Sequence, residues 1–136
     1  MTPADTAFSL QSYRWDRRIL LMFAPSLSSE ALQTQLSTLR AVPEDVDERK
    51  LLILRVLGQG QSFAGEQPIS AEAASQLRSR FDVRPDQYRL ILVGLDGTEK
   101  RREAEPITAE SLFVTIDAMP MRQREMQRQS DDGGGR

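Results

Sequence analysis

Apolar residues gather in three short runs, Ile19 to Ala24, Leu51 to Leu57 and Leu90 to Val93, interrupted only by Arg55. None of them alternates apolar with polar positions, so each reads as a strand covered on both faces rather than on one. A buried helix segment can look the same, but these runs are short and bounded by turn residues. Between them the period changes to that of a helix. Ser28-Ser29-Glu30 supplies a capping hydroxyl and an acid for a helix start, and Leu32, Leu36 and Leu39 then share one face up to Pro43. A second helix is predicted from Ser70, with Ala73, Leu77 and Phe81 as its buried stripe. A third opens at Thr108, where Ile107 and Leu112 stand at hydrophobic-staple spacing, and runs through Ile116 and Met119 to Pro120.

Turn chemistry orders these pieces. Gly94-Leu95-Asp96-Gly97 is a hairpin signal, and the run that follows, Glu99-Lys100-Arg101-Arg102-Glu103, has the charge expected of an exposed edge strand. Gly58 to Pro68, with glycines at 58, 60 and 65, reads as a mobile loop. The predicted order is β-α-β-α-β-β-α, an α/β domain with a central mixed sheet of about four strands flanked by helices. Residues 1–7 are expected to be a flexible N-terminus, 8–122 the domain, and 123–136 a polar, disordered tail.

Composition narrows the chemistry more than the architecture. The chain has 136 residues, 39% hydrophobic and 28% charged, with a formal net charge of −2. That is one soluble domain without a global basic field, so no nucleic-acid partner is expected. Lysine occurs only at Lys50 and Lys100 among 18 basic residues, which leaves arginine as the main cation and a supply of rigid bidentate donors. Cysteine and histidine are both absent. No disulfide, thiolate nucleophile, thiolate metal site or Ser–His–Asp relay can be built from this chain. No apolar run approaches the length of a membrane span. The N-terminal residues lack the basic and apolar regions of a secretion signal, so a cytoplasmic location is expected, or a periplasmic or secreted one had a signal been removed.

Three blocks carry a family likeness: Tyr13-Arg14-Trp15-Asp16-Arg17-Arg18-Ile19-Leu20-Leu21-Met22-Phe23-Ala24-Pro25-Ser26, then Tyr88-Arg89-Leu90-Ile91-Leu92-Val93-Gly94-Leu95-Asp96-Gly97, then Ile116-Asp117-Ala118-Met119-Pro120-Met121-Arg122. Over about residues 8 to 126 they resemble the peroxiredoxin-like "DUDES" domain of unknown function, found alone in bacteria and inside secreted vertebrate matrix proteins. The resemblance implies a bacterial member with a thioredoxin-like fold, the same order that periodicity predicts, and supplies no activity. The more distant likeness to peroxiredoxins can be followed residue by residue. Their motif Pro-x-x-x-Thr/Ser-x-x-Cys places Pro25 and Ser29 in its first two positions and Leu32 where the nucleophile would stand. Arg89 resembles their peroxide-binding arginine.

In a thioredoxin-like sheet the third strand runs against the first two, which sets Arg89 near their ends and near the start of the first helix. There the hydroxyls of Ser26, Ser28 and Ser29, the free amides after Ser28, and Arg89 are expected to form an anion pocket beside Pro25, with Arg55 as a second positive group. The plainer expectation is that the serines only cap the helix and Arg89 pairs with Asp86. Trp15 is expected to pack in the core or as a lid. Met119 is expected in the core, and Arg122, Arg124 and Arg128 either to complement a helix end or to bind a polyanion. The leading expectation is a non-catalytic binding module for an unknown protein or a small anionic ligand, with no cofactor, metal or membrane insertion. The alternative is a non-thiol enzyme using Arg89 and a carboxylate on an anionic substrate. A homodimer is also open.

Overall fold

The computed structural model describes the backbone of residues 9–134 and the side chains of residues 9–128. The segment expected to be flexible, 1–7, lies outside the described residues. The chain falls into two compact units, one ending at Pro106 and the other starting at Ile107.

The first unit is built on a sheet of six strands: β1 (Arg18–Ala24), β2 (Leu51–Leu57), β3 (Ser62–Ala64), β4 (Gln67–Ile69), β5 (Arg89–Val93) and β6 (Glu99–Glu103). Their order is β4-β3-β2-β1-β5-β6. β1 and β2 are parallel and joined through α1 (Glu30–Arg40) and α2 (Pro43–Glu48), while β5 runs antiparallel to β1. That is the thioredoxin-like order, extended at one edge. Ile19 to Ala24 of β1 are all buried, as their unbroken apolar run predicts, and Arg18 before them is buried as well. Register fixes the two faces. Ile19, Leu21 and Phe23 of β1, Leu54 and Val56 of β2, and Ile91 and Val93 of β5 form one core with Ala73, Ala74, Leu77 and Phe81 of α3 (Ala71–Phe81). The Phe23 and Phe81 rings meet there at 6.1 Å and 55°, a tilted aromatic pair. The opposite face carries Met22, Ile53 and Arg55 and lies under α1.

Three expectations change in this unit. The sheet has six strands rather than about four, because the predicted loop 58–68 contains the β3–β4 hairpin. Gly65 holds φ +63° at the first central position of its two-residue turn, where glycine belongs. Pro68 is tolerated because β4 is an edge strand, and the buried Ser62 Oγ accepts from Leu57 N at 2.9 Å, tying the hairpin back. Pro43 does not merely end a helix. It is the first residue of α2, followed by Glu44 and Asp45 in the first turn. Trp15 is not packed: its side chain is 61% exposed, and its backbone sits at φ +70°. The turn is fixed by Trp15 N donating to Leu95 O at 2.7 Å. A left-handed conformation costs a bulky residue about 1–2 kcal/mol, so Trp15 is where it is in spite of its backbone.

β6 is the charged edge predicted. Arg102 pairs with Glu99 at 3.0 Å and Arg101 with Glu103 at 2.8 Å. At the hairpin turn, Asp96 accepts from Thr98 N at 3.0 Å and Thr98 Oγ1 at 2.8 Å, and pairs with Lys100 at 3.0 Å. Those donors, the Thr98 amide first, hold its carboxyl at about 2. A carboxylate depressed in the folded state stabilises above its unfolded value and loses that contribution as pH falls. The hairpin is therefore expected to weaken between about pH 4 and pH 2. Carbon-13 titration of the Asp96 carboxyl checks this, and a midpoint near 4 would count against it.

The second unit contains α4 (Ala109–Asp117) and α5 (Pro120–Gly134). Thr108 caps α4 by accepting from Ser111 N at 3.1 Å, and Leu112 and Ile116 are buried as predicted, whereas Met119 is only half-buried. The expected disordered tail is helical through Gly134. Pro120 opens α5 at a position suited to proline, and Met121 to Gln129 are mostly strong helix formers, which outweighs the glycines at the end. Arg122 is not a surface cation. It is 1% exposed and pairs with Asp117 at 3.0 Å and Glu125 at 3.4 Å.

Candidate binding site

Local structure at the β1–α1 connection follows the serines. Ser29 N donates to Ser26 O at 3.1 Å, Ser26 and Ser28 share a hydroxyl contact of 2.8 Å, and Ser29 Oγ accepts from Leu32 N at 3.3 Å as the helix cap. Pro25 O accepts from Gln59 N at 2.8 Å, joining this turn to the end of β2. Pro25, Ser26, Ser28 and Ser29 thus form one turn.

The two arginines lie on opposite faces of the sheet. Arg89 pairs with Phe23 across the β1–β5 ladder, which puts it on the Phe23 face, opposite α1. Its Nη1 donates to Tyr88 O at 2.7 Å, and Asp86, its expected partner, pairs with Arg84 instead at 3.7 Å. Arg55 lies in register with Met22, on the α1 face, against the middle and end of α1 rather than its N-terminus. Side chains alternate along a strand, so an odd–even difference in register separates residues that look close in the sequence. Arg55 and Arg89 therefore do not meet in one pocket beside Ser26, Ser28 and Ser29, as the predicted anion site required.

Leu32, at the nucleophile position of the peroxiredoxin-like motif, is fully buried. One turn further on, Gln35 is equally buried, and Tyr88 Oη lies 3.3 Å from Gln35 Oε1 as donor. Burial pushes the Tyr88 phenol well above its ordinary range. Gln35 was legible only as a polar residue inside the Leu32–Leu36–Leu39 stripe. The surroundings of Leu32 on this face of α1 are closed, with Gln35 and Tyr88 as one neutral polar pair.

The site with ligand geometry surrounds Arg55. A cavity of about 330 Å³ opens between α1, α2 and the β3–β4 turn, the size of a small-molecule site. Leu36, Leu39, Val46 and Ile53 give it an apolar lining. At one end the Arg55 guanidinium stacks on the Phe63 ring, 4.5 Å from its centroid, and donates to Gly65 O at 3.2 Å. Burial, then the charge of Arg40, lower the Arg55 pKa, with Glu66 opposing. A cation that is desolvated and beside a like charge gains most from an incoming anion. Sequence reading named Arg55 but missed the groove, because two of its walls are α2 and the hairpin. Pro43-Glu44-Asp45, a proline followed by acids, was the available signal. Among the described residues no acidic cluster suited to a metal ion occurs, and no helix is long and apolar enough to cross a membrane.

These features define a domain with the thioredoxin-like fold, in which Leu32 is buried. Residues 9–125 match the family described as "Domain of unknown function (DUF4174)", and the chain belongs to it. It is 26% identical over 125 residues to the sushi repeat-containing protein SRPX2 of Rattus norvegicus, covering 90% of this chain and 27% of that protein. It is also 26% identical over 133 residues to coiled-coil domain-containing protein 80 of Danio rerio, covering 86% of this chain and 15% of that one. The chain thus spans about a quarter or less of these relatives. Among solved structures it resembles the reduced 2-Cys peroxiredoxin of Plasmodium vivax, with a TM-score of 0.65 and 11% identity over 85% of this chain and 84% of that chain. Thioredoxin peroxidase I of Plasmodium yoelii gives a TM-score of 0.62 with 16% identity, covering 86% of this chain and 80% of that chain. These two likenesses concern the fold.

Proposed function

We propose that the chain is a non-catalytic thioredoxin-like binding module that takes a ligand with an anionic head and an apolar tail in the Arg55 groove. The observation that carries this reading is the half-buried Arg55 guanidinium, held on Phe63 at the end of a cavity lined by Leu36, Leu39, Val46 and Ile53. The non-catalytic half rests on a sequence without cysteine or histidine and on the sealed Leu32 position. The head group would sit on Arg55 with Arg40 at the rim, while Glu66 and Asp47, also at the rim, disfavour polyanions. A chain without cysteine is indifferent to the redox poise around it, so the reading holds inside or outside the cell.

Octanoate is a suitable probe, with octylamine as the control of opposite charge. Saturating octanoate is expected to raise the melting temperature, since a ligand at about 100 times its Kd adds about 2.7 kcal/mol to the folded state. Arg55→Ala should weaken binding at least tenfold, whereas Arg89→Ala, on the other face of the sheet, should leave it unchanged. Equal responses from the wild type and Arg55→Ala would remove the groove from the proposal. Peroxide consumption that scales with protein would remove the non-catalytic half.

A further inference from the structure

Trp15 is the only tryptophan in the chain, and nothing in the folding of the first unit accounts for it. It is 61% exposed and held at φ +70°, a conformation in which stability alone would select glycine. The backbone around it is over-determined: Trp15 N donates to Leu95 O at 2.7 Å, and Asp16 N and Arg17 N both donate to Tyr13 O, at 2.9 and 2.8 Å. A strained turn fixed this firmly presents the indole outward.

The charged residues lining the adjoining depression are all cations, while the exposed Asp16 and the Lys100-paired Asp96 stand in the flanking turns outside that lining. Arg14, Arg17 and Arg80 line one shallow depression with Gly97, and no aspartate or glutamate is among the described residues lining it. Arg14 lies so close over the hairpin turn that a Cβ at Gly97 would meet its Nε at 3.0 Å. Arg17 is committed to the main chain, donating to Lys50 O at 3.3 Å and Leu51 O at 3.0 Å. Arg80 is exposed, with its guanidinium 5.4 Å from the centre of the Phe81 ring. This concentration of positive charge stands on a chain whose net charge is −2.

We infer that Trp15, Arg14 and Arg80 form a docking surface for an acidic peptide segment of another protein, one that offers an apolar side chain next to its carboxylates. Tryptophan and arginine are the side chains that most often dominate binding energy at interfaces. The guanidinium groups supply bidentate donors for carboxylates, and the indole supplies rigid apolar area at little entropic cost. The surface does not involve Arg55, so it stands or falls separately from the groove.

The test uses the full chain, read by its single indole. A capped twelve-residue peptide of Glu-Glu-Leu repeats is titrated while tryptophan emission is recorded, with the Gln-for-Glu peptide as control. The expected result is a saturable blue shift with the acidic peptide alone, weakened at least tenfold by the double variant Arg14→Ala/Arg80→Ala and by rising salt. Trp15→Gly, followed by calorimetry, should lose binding while melting about 4 °C higher than the parent. That combination separates a docking residue from a structural one. A lower melting temperature for Trp15→Gly, or no response to the peptide, overturns the proposal. So does binding of a heparin oligosaccharide in place of the peptide, or Trp15-dependent self-association in light scattering.

Discussion

Arg122→Ala is expected to destabilise the second unit by about 3 kcal/mol, near the lower end of the cost of breaking a buried ion pair. The guanidinium is 1% exposed and lies between Asp117 at 3.0 Å and Glu125 at 3.4 Å, so its loss leaves two carboxylates facing an emptied site. The figure stays at the low end because the Asp117 side chain is 32% exposed and can rehydrate, whereas Glu125, at 12%, is less able to. Arg122→Met separates charge from volume: it refills most of the space but still deprives both acids of the guanidinium, and should recover less than half of the loss. Adding Glu125→Gln to Arg122→Met should recover more, since one of the two like charges is then gone. Urea unfolding followed by far-ultraviolet circular dichroism measures the loss, and hydrogen exchange places it in residues 107–128. A cost below 1 kcal/mol for Arg122→Ala would mean that the cluster is a surface feature after all.

That cluster also shows where sequence reading succeeds and where it stops. The three central strands were legible because each is a near-continuous apolar run, and the α1, α3 and α4 starts because Ser29, Ser70 and Thr108 are local signals that act through the nearest amides. The peroxiredoxin-like order follows from those pieces, and the family resemblance is met by the match over residues 9–125. The site was less legible, for a geometric reason. Arg55 and Arg89 were placed together by strand order, but which face each occupies depends on register, and register is a long-range property of pairing. Arg122 read as a helix-end cation because its two partners lie five residues before and three after it, a spacing that means little until α4 and α5 are placed. Trp15 was expected in the core or as a lid because it sits just before a buried strand. The fold instead leaves it 61% exposed on a turn with φ +70°, which composition does not encode.

Gly58→Ala should cost about 3 kcal/mol or more, at the upper end of what overpacking a close-packed site costs. The peptide amide of Gly58 donates to Ala24 O at 2.9 Å, which brings the end of β2 against the exit of β1. A methyl group there would meet Pro85 O at 2.2 Å and Pro25 O at 3.1 Å. Both obstacles are main-chain carbonyls, so no side-chain rotation relieves them. Either the segment before β5 or the Pro25 turn must move. The second outcome would break the bond from Gln59 N to Pro25 O, at 2.8 Å, and with it the join between the serine turn and β2. Gly60→Ala is the matched comparison. Its added methyl has room, with Leu57 Cδ1 at 3.8 Å as the nearest contact, but its φ of +99° strains any L side chain. That variant should lose about 1–2 kcal/mol, the usual cost of a left-handed residue. Urea midpoints at constant slope give both values, and the order Gly58→Ala below Gly60→Ala below wild type is the discriminating result. Equal losses would mean that the Pro85 and Pro25 carbonyls yield easily, and that the three connections meeting at Gly58 are not rigidly joined. Below its melting temperature Gly58→Ala should still bind octanoate, because the Arg55 groove is walled by α1, α2 and the β3–β4 turn and has no wall in this junction.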